Sequence, residues 1–485
     1  MSIKPLLKAA ALMLLPWLAW SCQWMTEDFD GVIDGEATHY INVTISVSAS
    51  SDPMTRAVPE GDEDGDGLEK GNDRENNVND ITLIFYQDGT GATDGTGINT
   101  NSDAVTVLCV KRYEVHPVTN AAADLPANHA AIPANEVLYS TGNQRLKETE
   151  LQPGETYRVL VVANAVVNVK VGDKIKDVRD LLLTSVYKGS GVGINATDFV
   201  MSSERDAVVT LSNPTITTTN GENRFIYYFD CIHIERLAAR IDYCTKGSEY
   251  DSDKGGYKYG VRNSDDYFVV TKVTPFNLYN EQEYLFKHVQ DNWTSDAVTT
   301  YLANETGNNY VVDPNTGNKY GTNTFCYLNP IAETFTDAVY PQVMNYLSTG
   351  QRFTDSDDNT SIIIAYPREN TLMPTSQLKK FATGIAFEID YYAKESDNTF
   401  TRSTNVYYHY LRHQGEQDSG SYQAKQWEGI TGEETGAADV PMNFGVVRNN
   451  IYRVSIESSS EVQGKIKIKV EETKWRHVDN PTIYL

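Results

Sequence analysis

The chain is short of cysteine, of positive charge and of long apolar runs. Five cysteines in 485 residues are too few for a disulfide-built scaffold, and none stands in CxxC or Cys/His zinc spacing. Cys109, Cys231, Cys244 and Cys326 leave pairing open in an oxidising compartment. Cys109 alternates with Val105 and Val107 and reads as a buried free thiol. Forty-one lysines and arginines face 66 acidic residues, a formal net charge of −25. That balance argues against nucleic acid as a partner, because a phosphate backbone is held by basic surface. It fits a secreted or surface-exposed protein kept soluble by self-repulsion. Beyond the N-terminus no stretch is apolar enough to cross a bilayer as a helix. No repeat at solenoid or propeller period is present.

Chemistry-bearing patterns are equally sparse. His409 and His413 share one face of an aromatic strand, but no third metal ligand accompanies them. Ser376-Gln377-Leu378-Lys379 matches SxxK without the companion motifs that would give it meaning. The glycines from Gly189 to Gly193 follow a helical pattern rather than a strand and lack dinucleotide spacing. Nucleophile, base and orienting acid never come together, so neither catalysis nor a cofactor is expected. Asp62, Asp64 and Asp66 open like a calcium-binding loop. Lys70 and Asp73 stand where ligands nine and twelve belong, and no amphipathic helix precedes them. An acidic flexible linker is the reading, with a weak surface calcium site left open.

What is present begins at the N-terminus. Lys4 and Lys8 precede an apolar core, Ala9 to Leu18, and then Leu18-Ala19-Trp20-Ser21-Cys22. This resembles a loose bacterial lipobox, making residues 1–22 a lipoprotein signal peptide with Cys22 as the acylated residue. Residues 23–37 form an acidic tether. From His39 to Ser50, Ile41, Val43, Ile45 and Val47 alternate with polar residues, the pattern of a half-buried strand. Residues 51–79 are polar and glycine-rich and cannot bury enough to order themselves strongly. Arg56 and Ala57 therefore lie where a protease can reach. A good strand followed at once by an exposed cut is a strand built to be lost.

Thirty tyrosines, 17 prolines and many Asn, Thr, Ser and Gly clusters point to β-structure with polar loops. The chain reads as mainly β, with two tandem β-sandwich domains over 57–230 and 231–485. Strands are expected at 80–87, 104–115 and 157–169 in the first domain. In the second they fall at 232–243, 267–279, 361–366, 383–393, 404–411, 450–457 and 465–470. One helix is expected in the first domain, with Asp173 as N-cap and Ile175, Val178, Leu181, Leu182 and Val186 on its apolar face.

Several stretches carry a resemblance when taken in order. They are Gly65-Asp66-Gly67, Asn76-Asn77-Val78-Asn79, Tyr157 to Ala165, and Phe199 to Ser203. Further on come Ile234 to Arg240, Tyr366 to Leu372, Thr383 to Phe387, Tyr407 to His413, and Val447 to Tyr452. Together they resemble the fimbrillin family of Bacteroidetes, the major fimbrial subunits of the Mfa1-like and FimA-like kind, type V pilins. The resemblance implies transthyretin-like sandwich domains and a lipoprotein precursor anchored at the outer membrane. It implies a cut by an Arg-specific protease between Arg56 and Ala57, so that residues 23–56 are a propeptide carrying the removable strand. The groove left behind is then filled by the C-terminal tail of a neighbouring copy, here about 471–485 with Trp475, Ile483 and Leu485. Pro481 and Asp479 interrupt that tail and leave its register open.

General physics points the same way. Strand addition supplies a full main-chain ladder, and alternate side chains fill pockets. A head-to-tail contact that does not close on itself generates a filament. The expected role is a pilin of an outer-membrane fimbria serving adhesion or biofilm formation, alongside minor, tip and anchor subunits. The alternatives are a tip subunit of the same fimbria and a monomeric surface lipoprotein that stacks glycans on exposed tyrosines.

Overall fold

The computed structural model describes residues 38–47, 71–87, 105–119, 137–189, 195–203, 206–219, 221–261, 263–291, 309–315, 327–329, 347, 352–354, 360–371, 381–396, 399–411, 422–426, 445–457 and 466–474. Strands dominate. The first large sheet starts with β1 (Thr38–Val47), β2 (Asp80–Tyr86), β3 (Val107–Glu114) and β4 (His116–Pro117). It continues with β5 (Leu138–Ser140), β6 (Gln144–Leu146) and β7 (Thr156–Ala163). After β8 (Leu182–Leu183), which stands apart, it resumes with β9 (Met201–Ser203), β10 (Ala207–Thr210), β11 (Thr215–Thr219) and β12 (Glu222–Arg236). The order is β3-β2-β7-β9-β12-β1-β5-β4, with β10 on β7, β11 on β12 and β6 on β1.

The second half opens with β13 (Arg240–Cys244), β14 (Glu249–Asp251), β15 (Gly256–Gly260) and β16 (Tyr267–Phe276). Short pieces follow: β17 (Leu278–Tyr279), β18 (Glu283–Tyr284), β19 (Val289–Asp291), β20 (Asn309–Val311) and β21 (Tyr327–Leu328). The remaining strands are β22 (Arg352–Thr354), β23 (Thr360–Ala365), β24 (Gly384–Lys394), β25 (Phe400–Tyr410), β26 (Tyr422–Gln426), β27 (Asn450–Glu457) and β28 (Ile466–Lys474). Their sheet runs β14-β15-β16-β24-β25-β26-β28-β27-β13-β23-β22.

Each sheet folds over its own core. Leu83, Phe85, Val159, Val161 and Phe229 lie in the first, and Tyr243, Phe268, Val270, Ile364 and Phe387 in the second. The near-continuous apolar run of β7 is buried from Tyr157 to Ala163, as expected of a strand covered on both faces. The strand expected over 157–169 stops there: Asn164 turns to φ 59° and Val166 is exposed. Cys109 is a buried free thiol, and burial pushes it up to about 11.

Several expectations change. The strand expected over 232–243 is two strands. β12 ends at Arg236 and β13 begins at Arg240, because the linking main chain bonds elsewhere: Leu237 N–H to Val200, Ala239 N–H to Pro367, and the Ala238 carbonyl to Asn449 N–H. The first sheet therefore runs past 230/231, the boundary placed by sequence, which falls inside β12. The β1 register slips there from Val43↔Phe229 to Ile45↔Ile232, and Cys231 takes φ 42°, a bulge.

The expected helix contracts to α2 (Ile175–Arg179). Asp173 does not cap it, since its carboxylate accepts instead from Lys170 N–H at 2.8 Å, and Leu182 joins β8. The end of the polar run is ordered: α1 (Asp73–Asn76) carries a full capping box from Asn72 and Glu75. Asp73 thus sits in a helical first turn rather than at the close of a calcium loop. Finally, β28 extends to Lys474, so residues 471–474 are paired with β27 and only 475–485 remain beyond the strand.

Candidate functional site

β1 is an internal strand, and its own residues explain why it is held. Ile41, Val43 and Ile45 have no exposed surface and Val47 only 6 %. The residues expected to face solvent are buried too: Asn42, Thr44 and Ser46 are each at most 4 % exposed. Sequence alternation reads period two, but it cannot say that the polar face is also covered. β1 runs parallel to β12 from Thr38↔Arg224 to Val47↔Ile234. On its other side it runs antiparallel to β5 and β6.

The turn between β5 and β6 grips the polar face. Ser140 Oγ donates to Asn42 Oδ1 at 2.9 Å, and Asn42 Nδ2 donates to Asn143 Oδ1 at 3.0 Å. Val43 N–H donates to Thr141 Oγ1, and Thr141 N–H returns to the Val43 carbonyl, both at 3.0 Å. At the strand's N-terminal end His39 stacks on Phe225 and Tyr227 and meets Glu148 at 2.9 Å. The slot around β1 therefore takes an aliphatic row on one side and small polar groups on the other.

The C-terminal end of β1 reaches the junction between the two sheets, where a buried charge network lies. Arg240 donates to both oxygens of Asp242 and, at 3.0 Å, to Glu75 Oε2. Glu75 also accepts from Asn72 N–H and from the Tyr366 hydroxyl. Arg236 donates to the Glu75 carbonyl at 2.9 Å, to Asn449 Oδ1 at 3.2 Å and to Asn76 Oδ1. Burial pulls Arg236 down to about 10. Burial opposes the charge of Arg240 as well, but Asp242 and Glu75 outweigh it and hold that guanidinium above its usual range.

Beside them Arg448 pairs with Glu369 at 2.7 Å and donates to the Tyr284 carbonyl. Burial, then the neighbouring Glu369, lifts Glu283 well above the carboxylate range. Arg236, Arg240, Tyr366, Glu369, Arg448 and Asn449 come from Ile234–Arg240, Tyr366–Leu372 and Val447–Tyr452, stretches whose joint place in the molecule the sequence did not disclose. Charges embedded in apolar runs were the available signal.

No protein-family model and no curated protein matches the chain. Solved structures do. The tip fimbrial protein Mfa3 of Porphyromonas gingivalis, truncated at its C-terminus, is 12% identical with a TM-score of 0.38. It covers 90% of this chain and 100% of its own. A fimbrilin, FimA, of Porphyromonas gingivalis W83 is 11% identical with a TM-score of 0.34, covering 92% and 100%. A fimbrial protein of Bacteroides vulgatus is 12% identical with a TM-score of 0.27, covering 81% and 92%. These three are fimbrial proteins.

Of the site residues read from sequence, Ile41, Val43, Ile45 and Val47 stand together in the first core. Cys22, Arg56, Ala57, Trp475, Ile483 and Leu485 lie outside the described residues, as do Asp62, Asp64, Asp66, His413 and the SxxK segment. His409 is buried on β25. Among the described residues no group of three or more His, Cys, Asp or Glu is placed to hold a metal. No described helix is long and apolar enough to cross a membrane.

Proposed function

We propose that the chain is a structural, non-catalytic subunit of a cell-surface fimbria, polymerising by exchange of β1 for a strand of a neighbouring copy. In this reading Cys22 anchors the precursor to the outer membrane, and an Arg-specific protease cuts between Arg56 and Ala57. The C-terminal tail, residues 475–485, fills the vacated slot of the next copy. Tip and anchor subunits would complete the filament, which would serve adhesion and biofilm formation. The division into domains at 57–230 and 231–485 is kept, with its internal boundary moved to Leu237–Ala239.

The observation that carries the proposal is the place of β1: it is the first described strand, yet internal and buried on both faces. Four aliphatic side chains at about 1.5–3 kcal/mol each contribute about 6–12 kcal/mol. That rivals the whole stability of a typical domain, about 5–15 kcal/mol. Once β1 has been cut free, the first core persists only if something else fills the slot.

The test is the form recovered from cells. The expected form begins at Ala57 and runs unboiled as an SDS-resistant ladder, which Arg56→Ala or deletion of 475–485 abolishes. Protein that still begins at Cys22 and runs as single copies would overturn the proposal. If it then bound a purified glycan, the monomeric lipoprotein would take its place.

A further inference from the structure

The strands that end the two large sheets are guarded against pairing. β3 carries Lys111, Arg112 and Glu114, and β4 ends in Pro117. β14 carries Glu249 and Asp251, and β22 carries Arg352. Charge and proline on an edge are the usual means of keeping copies apart. β10 carries no charge, but it is only four residues long and its Val209 is buried.

β11 has no such guard. It reads Thr-Ile-Thr-Thr-Thr, all five side chains are exposed, and Ile216 is 59 % exposed. It pairs with Glu222–Ile226 of β12, and among the described residues no strand covers its other edge. Strand-forming, uncharged and proline-free, it is a ready template for another strand.

Its free main-chain groups can be assigned. Thr219 pairs with Glu222 across the two residues Asn220 and Gly221, and Gly221 has φ 85°. In such a hairpin the closing pair exchanges both hydrogen bonds, and the pattern then alternates. Thr215, Thr217 and Thr219 commit their N–H and C=O groups to β12, so Ile216 and Thr218 direct theirs outward.

We propose that β11 is a contact between two copies of this chain, β11 against β11, antiparallel about a two-fold axis through Thr217. In that register Ile216 of each copy faces Thr218 of the other, and the outward groups form two reciprocal hydrogen-bonded pairs. Thr217 faces its own counterpart across a non-hydrogen-bonded pair. A second copy is the occupant because the segment is close to self-complementary, with threonine opposite threonine at the axis. Charge selects the same site: two chains of net charge −25 repel broadly, and this uncharged edge lets them approach.

A five-residue edge falls well short of the roughly 1,200 Å² of a stable specific interface, so a single contact is weak. Repetition along a filament would make it effective through multivalency. Arg224–Ile226 of β12 pair with β11 on one side and with β1 on the other, so the contact leaves the β1 slot untouched. Joined to the fimbrial reading, it is a side-to-side contact between filaments. The contact itself exists without that reading.

The experiment uses the unprocessed Arg56→Ala chain, so it does not depend on strand exchange. Single cysteines are placed at 215 to 219, with the parent chain as background for native thiols, and mild oxidation is read on a non-reducing gel. Covalent dimer should peak at Thr217→Cys, where facing Cα atoms lie about 4.5 Å apart, within disulfide reach. Adding Ile216→Lys, which places a like charge on each side of the axis, should cut that yield about tenfold without disturbing an exposed position. No dimer above background, equal yields at all five positions, or indifference to Ile216→Lys would each overturn the contact.

Discussion

β1 and β13 hold equivalent places in their sheets. Each runs parallel to a late strand of its half of the chain, β12 or β27, and antiparallel to a strand nearer the sheet end. Their side chains differ. From Ile41 to Val47 β1 contains no charge, whereas β13 buries Arg240 and Asp242 inside a network reaching Glu75. Withdrawing β1 breaks hydrogen bonds and exposes apolar surface, both of which an incoming strand can restore. Withdrawing β13 would also leave Glu75 buried without Arg240, and an unpaired buried charge costs several kcal/mol. Of two strands in the same topological position, only β13 holds buried charges that an exchanged strand would have to replace.

The sharpest way to break the comparison is to remove β1 outright. A chain beginning at Ala57 should lose about 6–12 kcal/mol from the first core. In hydrogen exchange the amides of β2, β7 and β12 should then lose protection while those of β16, β24 and β25 keep theirs. Adding a peptide of residues 38–47 should restore the first set. Full protection without the peptide would show that β1 is dispensable to the core it fills.

The matching lesion in the second sheet is Asp242→Ala. It removes the bidentate partner of a fully buried Arg240 and should lower stability by about 3–5 kcal/mol. Urea unfolding of the unprocessed chain reads this as an earlier midpoint with an unchanged slope. A shift below about 1 kcal/mol would mean that Glu75 alone holds Arg240, and that charge does not distinguish the two strands.

Much of this was legible in the residues. The alternation of Ile41 to Val47 gave a strand, and the unbroken run in β7 gave a doubly covered one, because aliphatic period survives any choice of neighbours. The equivalence of β1 and β13 was invisible, since THYINVTISV and RIDYC share topology but not sequence. The helix expected from 173 to 186 failed because β18 pairs with Leu182–Leu183 and takes them into a strand. Glu75 looked like part of a polar linker. Nothing nearby in sequence reveals that Arg240 and Tyr366 meet it, one 165 and the other 291 residues away.

The comparison can be probed most gently through pH, at the loop by which the second half seats itself on the first. Leu285 and Phe286 enter the first core, and Lys287 pairs with Glu235 at 2.6 Å. His288 follows, stacked on Tyr284, with Nε2 3.1 Å from the Arg179 carbonyl and 3.6 Å from Asp180. Burial pulls His288 down to about 4, helped by Arg448 and opposed by the Arg179 carbonyl, Asp180 and Glu369. The unfolded imidazole takes its proton near 6.5, before the folded one does. Its contribution to stability is therefore complete above about 6.5 and is lost as pH falls toward 4, on the order of 3 kcal/mol. Glu283, raised by burial and Glu369 against the pull of Arg448, acts in the opposite sense, favouring the fold at low pH and losing that advantage as pH rises. His288→Asn should flatten the acid limb between pH 6.5 and 4 while leaving the β1 slot filled. Denaturant midpoints across that window check it: equal slopes in parent and variant would place the acid sensitivity elsewhere in the junction.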